Sequence, residues 1–238
     1  LSINVKLRWV VVFWAIIALF RPPEALYNCY SLIVTLAVLK ILFGSTEAKS
    51  LNLSKPYMGA LLFILFSPLG FLPLVKLSFL ALCLAAITLC FANFICTKKF
   101  TYAALVIISP AISLSFFWLF ADQDLSFLSS YFTNGFQIIA GYAEAMSLEG
   151  KNIRLVIFLI AASAFVSYNL FHKQRTFLFK YSLLLILAAF FFISFKSAFV
   201  RFDSGHLYAE STSLLMAVSL LPFILNINNM LKFKYIKI

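Results

Sequence analysis

The sequence predicts an all-α, polytopic helical membrane protein with about eight transmembrane helices, forming a single transmembrane domain over residues 1–238. Of the 238 residues, 63% are hydrophobic and 11% are charged, whereas a soluble domain is about 45–50% apolar and about 25% charged. The apolar residues form long continuous runs, which favour helices over the alternating strands of a membrane barrel. Together these observations exclude a soluble globule, a disordered chain and a disulfide-stapled secreted module.

Eight apolar runs are candidate spans, because a helix needs about 20 such residues to cross the hydrocarbon core. The first run is short, so it either relies on Arg8 reaching the interface or begins upstream of the given chain. The third contains Pro68 and Pro73 and is expected to be kinked or broken, since proline removes a helical hydrogen bond. The runs cover residues 7–20, 25–44, 57–74, 77–97, 101–120, 154–172, 178–195 and 212–227.

The Lys and Arg residues gather on one side of the membrane when these spans alternate in direction. The positive-inside rule makes that side cytoplasmic, with the N-terminus and the C-terminus both on it. All acidic residues except Glu47 fall on the opposite side. The net charge of +11 is therefore explained by topology, and the scattered basic residues do not form the footprint of a nucleic-acid partner. The cytoplasmic set is Lys6, Arg8, Lys40, Lys49, Lys55, Lys98, Lys99, Lys173, Arg175, Lys180, Lys232, Lys234 and Lys237.

The centres of the proposed spans carry no charged side chain, although ion-coupled transporters usually place one there. The longest segment between spans is the extracytoplasmic loop 121–153, which is too short for a core of its own. Within it, residues 125–146 mix aromatic and amide side chains in an amphipathic pattern that predicts an interfacial helix. Any chemistry is therefore expected in loops and span ends on the outer face.

Asp122 and Asp124 open that loop with the spacing Asp-Gln-Asp. Two carboxylates at this spacing can hold Mg²⁺ or Mn²⁺ against a diphosphate. The competing interpretation is that they are ordinary acidic residues at the start of a helix. They are candidate metal ligands on that basis.

A second extracytoplasmic loop, 196–211, concentrates ionisable side chains between the last two spans. Lys196, Arg201, Asp203, His206 and Glu210 alternate there with aromatic and aliphatic residues. Charged side chains at a membrane surface are energetically costly unless they are paired with an opposite charge or bind a ligand. This motif loop is therefore the leading candidate for a functional site.

The order of residues in this loop predicts an anion site with a proton acceptor beside it. Asp203 or Ser204 can cap the last span, so that His206 lies in its first turn. A helix N-terminus favours a phosphate, and Arg201 and Lys196 would add positive charge to it. His206 or Asp203 could then accept a proton from a substrate.

A purely structural interpretation of the same residues stays open. The pairs Arg201–Asp203 and His206–Glu210 could be ion pairs that hold a re-entrant loop in place. Arg21 lies in the turn between the first two spans, where it could join the anion site or only cap a turn.

The cluster Arg201, Asp203 and His206 on an outer loop, in a chain of many spans, resembles the multi-spanning envelope glycosyltransferases of the O-antigen polymerase and ligase types. That resemblance implies an integral protein of the bacterial cytoplasmic membrane, with polyprenyl-phosphate-linked sugars as substrate. The alternatives are a flippase for a lipid-linked intermediate and a non-catalytic subunit with membrane protein partners. In the glycosyltransferase interpretation, the catalytic residues are Arg201, Asp203 and His206, and the substrate-binding residues are Lys196, Arg201, Glu210 and Arg21.

Overall fold

The computed structural model describes residues 34, 37, 38, 55–148, 150, 152–171 and 177–201. Regular structure within these residues is entirely helical, as the sequence predicts. The proposed spans 7–20 and 212–227 and most of 25–44 lie outside the described residues. The helices are α1 (Lys55–Val75), α2 (Leu80–Cys96), α3 (Phe100–Phe120), α4 (Leu128–Met146), α5 (Asn152–Phe171) and α6 (Phe177–Phe199), with 3-10 turns at Leu77–Phe79 and Leu125–Phe127.

Three segments of the described chain are long and apolar enough, by length and composition, to cross a membrane. They are Pro56–Val75, Leu77–Cys96 and Phe100–Phe120. Each matches one of the apolar runs that the sequence predicts as spans. The chain is therefore an integral membrane protein in this part of its length.

The described helices pack around a shared apolar core. Helix α1 packs against α3, α2 contacts both α3 and α6, and α5 packs on α6. Phe66, Leu82, Val106 and Phe190 are almost completely buried in this core. Val34 and Val38, which are helical, belong to the same cluster.

The surfaces of α1, α3 and α5 that face away from this core are also apolar. Their exposed side chains include Ile64, Ile108, Phe116 and Ile160. A water-soluble bundle would place polar residues on such surfaces, whereas lipid accepts them without penalty. For α1 and α3, which are long enough to cross a membrane, this pattern is that of helices solvated by a bilayer.

Helices α1 and α3 approach each other at backbone distance where Gly70 faces Pro110. A Cβ atom at Gly70 would overlap the carbonyl oxygen of Pro110 and lie 2.8 Å from the backbone nitrogen of Leu114. The rings of Phe71 and Phe117 meet beside this contact, with centroids 4.5 Å apart. Glycine is required here because any side chain would force the two helices apart.

Helix α1 runs without interruption through Pro68 and Pro73, so of the two alternatives expected for this span, a kink or a break, the break is wrong and the kink stays a prediction. Ser67, just before Pro68, donates its hydroxyl to the carbonyl of Phe63 at 2.7 Å. Ser109, just before Pro110 in α3, donates to Leu105 at 2.6 Å. These serines supply extra hydrogen bonds beside each proline, as membrane helices commonly do.

The helices α2 and α3 end in the same left-handed turn. Lys98 has φ 56° and Asp122 has φ 58°. In the first turn, Lys99 N donates to the Phe94 carbonyl at 2.8 Å, and in the second, Gln123 N donates to Trp118 at 3.3 Å. Both turns satisfy carbonyl groups that the helix end leaves without a partner.

Candidate functional site

The candidate site lies at one end of the bundle, which we call the α4 end. Helices α1, α3 and α6 finish there at Val75, Phe120 and Phe199, and α4 contacts residues near all three ends. Helix α4 is the amphipathic helix that the sequence predicts within loop 121–153. The contacts that hold it define the surroundings of Lys196 and Arg201.

Tyr131 fastens α4 to the end of α1. Its hydroxyl donates to the carbonyl oxygen of Pro73 at 2.9 Å, with a longer contact to Leu74 at 3.4 Å. The last carbonyls of a helix have no partner within it, so Tyr131 satisfies one of them from another helix. Partial burial raises the pKa of Tyr131, a shift that favours the protonated, donating form of the hydroxyl.

Trp118 links the end of α3 to the same helix. Its ring packs on Tyr131 with centroids 5.3 Å apart, and its Nε1 donates to the backbone carbonyl of Asp124 at 2.8 Å. The buried Trp118 thus fixes both α4 and the turn that leads into it. Sequence reasoning did not single out this residue, although tryptophan at a span end is a common interfacial signal.

Asp122 and Asp124, the candidate metal ligands, are both exposed in that turn. The Oδ1 atom of Asp124 accepts a hydrogen bond from Ser126 N at 2.8 Å, so this carboxylate caps the 3-10 turn Leu125–Phe127. The hydrogen bonds to Ser126 lower the pKa of Asp124. No group of three or more His, Cys, Asp or Glu side chains suited to a metal ion occurs among the described residues. The geometry of Asp124 therefore matches a capping role, and a Mg²⁺ or Mn²⁺ site stays a prediction.

Lys196 belongs to the last turn of α6. The helix extends to Phe199, beyond the predicted apolar run 178–195. The side chain is half-buried, and its Nζ donates to the carbonyl oxygen of Ile139 in α4 at 3.2 Å. Within the described part of the chain, no carboxylate pairs with this ammonium group. A lysine near a helix C-terminus interacts favourably with the helix dipole, and among the described residues its hydrogen-bond partner is a neutral carbonyl.

Arg201 lies two residues after α6 and is half-buried at the same end of the bundle. The residue before it, Val200, accepts a hydrogen bond through its carbonyl from Leu148 N at 3.1 Å. This bond joins the segment after α6 to the segment after α4. The structure thus brings Lys196 and Arg201 to one end, together with Asp122 and Asp124.

The other predicted site residues, Asp203, His206, Glu210 and Arg21, lie outside the described residues. Their proposed roles in proton transfer and substrate binding therefore stay predictions. No protein-family model, no curated protein and no solved structure matches the chain. The resemblance to envelope glycosyltransferases accordingly stays a prediction as well.

Proposed function

We propose that this protein is a membrane glycosyltransferase or glycan polymerase that acts on polyprenyl-phosphate-linked sugars at the outer face of the bacterial cytoplasmic membrane. The observation that carries the proposal is Lys196, a half-buried ammonium group at the α4 end whose partner among the described residues is a neutral carbonyl. In this proposal the α4 end faces outward, within the eight-span arrangement with both termini in the cytoplasm.

The electrostatics of Lys196 support an anionic ligand at this end. Partly removing a charge from water is costly unless an opposite charge or several hydrogen bonds replace the water. An ammonium group has three donors, and the Ile139 carbonyl takes one of them. A lipid-linked phosphate, presented at the level where the spans end, would supply both the charge and the remaining acceptors.

Arg201 is the second cation assigned to the phosphate. Its guanidinium presents a planar fork that matches two phosphate oxygens, whereas Lys196 acts as a point charge. Arg201 follows α6 by two residues, so both cations belong to one helix end. The hydrogen bond from Leu148 N to the Val200 carbonyl would hold the end of α6 against α4 during binding.

The transfer step is assigned from the sequence to the residues that follow Arg201. Asp203 or His206 accepts the proton of an acceptor hydroxyl, whose oxygen attacks the anomeric carbon of the lipid-linked sugar. The bond from that carbon to the phosphate oxygen breaks, and the lipid-linked phosphate leaves with the electron pair. Glu210 and Arg21 complete the set assigned to substrate binding, and Asp122 and Asp124 are the candidates for a divalent cation.

Binding is tested with Lys196→Met, which removes the charge and keeps an unbranched side chain. We expect the protein in nanodiscs to bind polyprenyl phosphate about tenfold to a hundredfold more weakly, since a hydrogen bond to a charged group contributes about 1.5–3 kcal/mol. Native mass spectrometry or microscale thermophoresis can measure this, with the unphosphorylated polyprenol as the reference lipid. Lys98→Met, at the opposite end of the bundle, is the matched control and should bind normally. Equal binding by Lys196→Met and the parent would overturn the phosphate site.

Transfer is tested in a glycan-producing strain with Arg201→Ala, Asp203→Ala and His206→Ala, after their membrane levels have been confirmed. We expect loss of polymer and accumulation of the lipid-linked precursor on the outer leaflet. Intact polymer from all three variants would remove the enzyme proposal. Precursor trapped on the inner leaflet would replace it with a flippase.

A further inference from the structure

Helix α4 divides into three kinds of surface around its axis. Half-buried residues recur along it at three- and four-residue spacing from Leu128 to Ile139 and face the rest of the bundle. These inward residues are Leu128, Tyr131, Phe132, Gly135 and Ile139, and Met146 lies on the same side two turns further along. The inward surface is thus continuous over the first three turns of the helix.

The surface opposite the bundle is polar. Successive helical residues are rotated by about 100°, which places the hydroxyl and amide side chains on the far side from Ile139. The exposed polar residues of this surface are Ser130, Thr133, Asn134, Gln137 and Glu144. This surface is suited to water.

Two large apolar side chains occupy the flanks between these surfaces. Phe136 is 54% exposed and Ile138 is 68% exposed. Because they are two residues apart, they point about 160° away from each other. Phe136 therefore lies on one flank of the helix and Ile138 on the opposite flank. The inward surface and the polar surface separate the two flanks.

The depth of α4 is set by its contacts with the ends of apolar spans. Tyr131 bonds to Pro73 in the last turn of α1, and Gly135 packs directly on Leu77 between α1 and α2. The lipid-facing surface of α3 continues to Phe120, which is 78% exposed, and Phe127, just before α4, is 61% exposed. Helix α4 therefore lies level with the ends of the apolar spans.

We propose that α4 binds the bilayer interface along both flanks, with phospholipid acyl chains and glycerol groups as the partners of Phe136 and Ile138. A protein partner would be expected to bind one continuous apolar patch. Lipid surrounds the bundle, so it can contact both flanks while the polar surface stays in water. Glu144 is the one ionisable carboxylate of α4 and no Lys or Arg lies on it, so the partner is the apolar part of any phospholipid and not an anionic headgroup. This inference is independent of the proposed transferase activity.

The test attaches a nitroxide spin label to Phe136→Cys, Gln137→Cys and Ile138→Cys, each in a full-length chain whose four native cysteines are replaced by Ala. In phosphatidylcholine vesicles we expect collisions with dissolved oxygen to be several-fold more frequent at 136 and 138 than at 137. Collisions with a water-soluble nickel chelate should show the reverse order. Gln137 is the matched control because it lies between the two flanks in sequence and on the polar surface in space.

Two outcomes would overturn the inference. Equal exposure of all three labels to the nickel chelate would place α4 in water, and protection of 136 and 138 from both reagents would indicate a protein partner. A second measurement uses Phe136→Trp and Gln137→Trp with brominated phosphatidylcholine, which quenches indole fluorescence on contact. Stronger quenching than in the parent is expected for Phe136→Trp alone, and adding phosphatidylglycerol should leave it unchanged.

Discussion

A tyrosine hydroxyl is one of the contacts that attach α4 near the end of α1. Tyr131 bonds to the carbonyl of Pro73 and packs on the ring of Trp118. The hydroxyl and the ring therefore act on two different helices, α1 and α3. Replacing one without the other separates these two contributions.

Tyr131→Phe should loosen α4 while leaving the ring contact with Trp118 in place. Losing the hydrogen bond leaves a carbonyl unsatisfied, so we expect destabilisation of about 0.5–1.5 kcal/mol. Hydrogen exchange of the α4 amides, followed by mass spectrometry, would show faster exchange in the variant. Tyr142→Phe, on an exposed residue of the same helix, is the control, and equal acceleration in both variants would contradict the assignment.

The sequence identified Lys196 and Asp124 as notable residues but not the atoms that they contact. Lys196 was expected in a loop because its charge ends an apolar run, yet α6 continues to Phe199 and directs its ammonium group to Ile139. Within the described part of the chain, Lys196 bonds to a backbone oxygen, which carries no residue-specific signal. The Asp-Gln-Asp spacing is compatible with Asp124 either as a helix cap or as a metal ligand. The hydrogen bond that Asp124 accepts from Ser126 N identifies it as a cap.

At the level of helices, α1 and α3 combine proline with very close packing. Each has a serine immediately before a proline, and each serine donates to the carbonyl four residues earlier. The helices meet where Gly70 faces Pro110. Close approach of small residues is a main source of helix association in lipid, where the hydrophobic effect is absent.

Gly70→Ala should destabilise the pair α1 and α3, because its Cβ would overlap backbone atoms that cannot rotate away. Overpacking of this kind costs about 1–3 kcal/mol. Gly59→Ala, in the same helix, is the matched control, since its Cβ would meet only Leu105 Cδ1 at an ordinary 3.6 Å. Unfolding in mixed micelles should occur at lower denaturant for Gly70→Ala alone, and equal midpoints for the two variants would refute the contact.

The sequence predicted these helices closely because lipid imposes both length and apolarity on a span. The runs 57–74 and 101–120 correspond to α1 and α3, and 154–172 corresponds to α5. The sequence left open whether the helix is kinked or broken at Pro68, because a proline removes one helical hydrogen bond in either case. The sequence also did not predict that α1 packs against α3, because Gly70 and Pro110 are far apart in sequence.

Across the whole molecule, both described ends of the bundle carry basic side chains. The turn between α2 and α3 has Lys98 and Lys99, and the α4 end has Lys196 and Arg201. The orientation is therefore predicted from the Lys and Arg residues of the full sequence, most of which fall on the side of Lys98 when the proposed spans alternate. On that count we expect the α4 end outside.

The orientation is testable with Lys98→Cys and Gln123→Cys, each in a chain that lacks the native cysteines. In intact spheroplasts, a membrane-impermeant maleimide should label Gln123→Cys, and it should label Lys98→Cys only after the membrane is opened. Labelling of both after opening is the control for reactivity. The reverse pattern before opening would invert the topology and place Lys196 on the cytoplasmic side.

The bond from Leu148 to Val200 also has a consequence for the order in which the protein is made. Tyr131 bonds to Pro73, which is made before it, whereas Ile139 and Leu148 bond to residues translated some fifty positions later. Until α6 has been synthesised, the contacts of α4 with α1 and α3 are available to it, but these two bonds are not. A chain that ends after α5 would keep those contacts and lack the bonds to Lys196 and Val200.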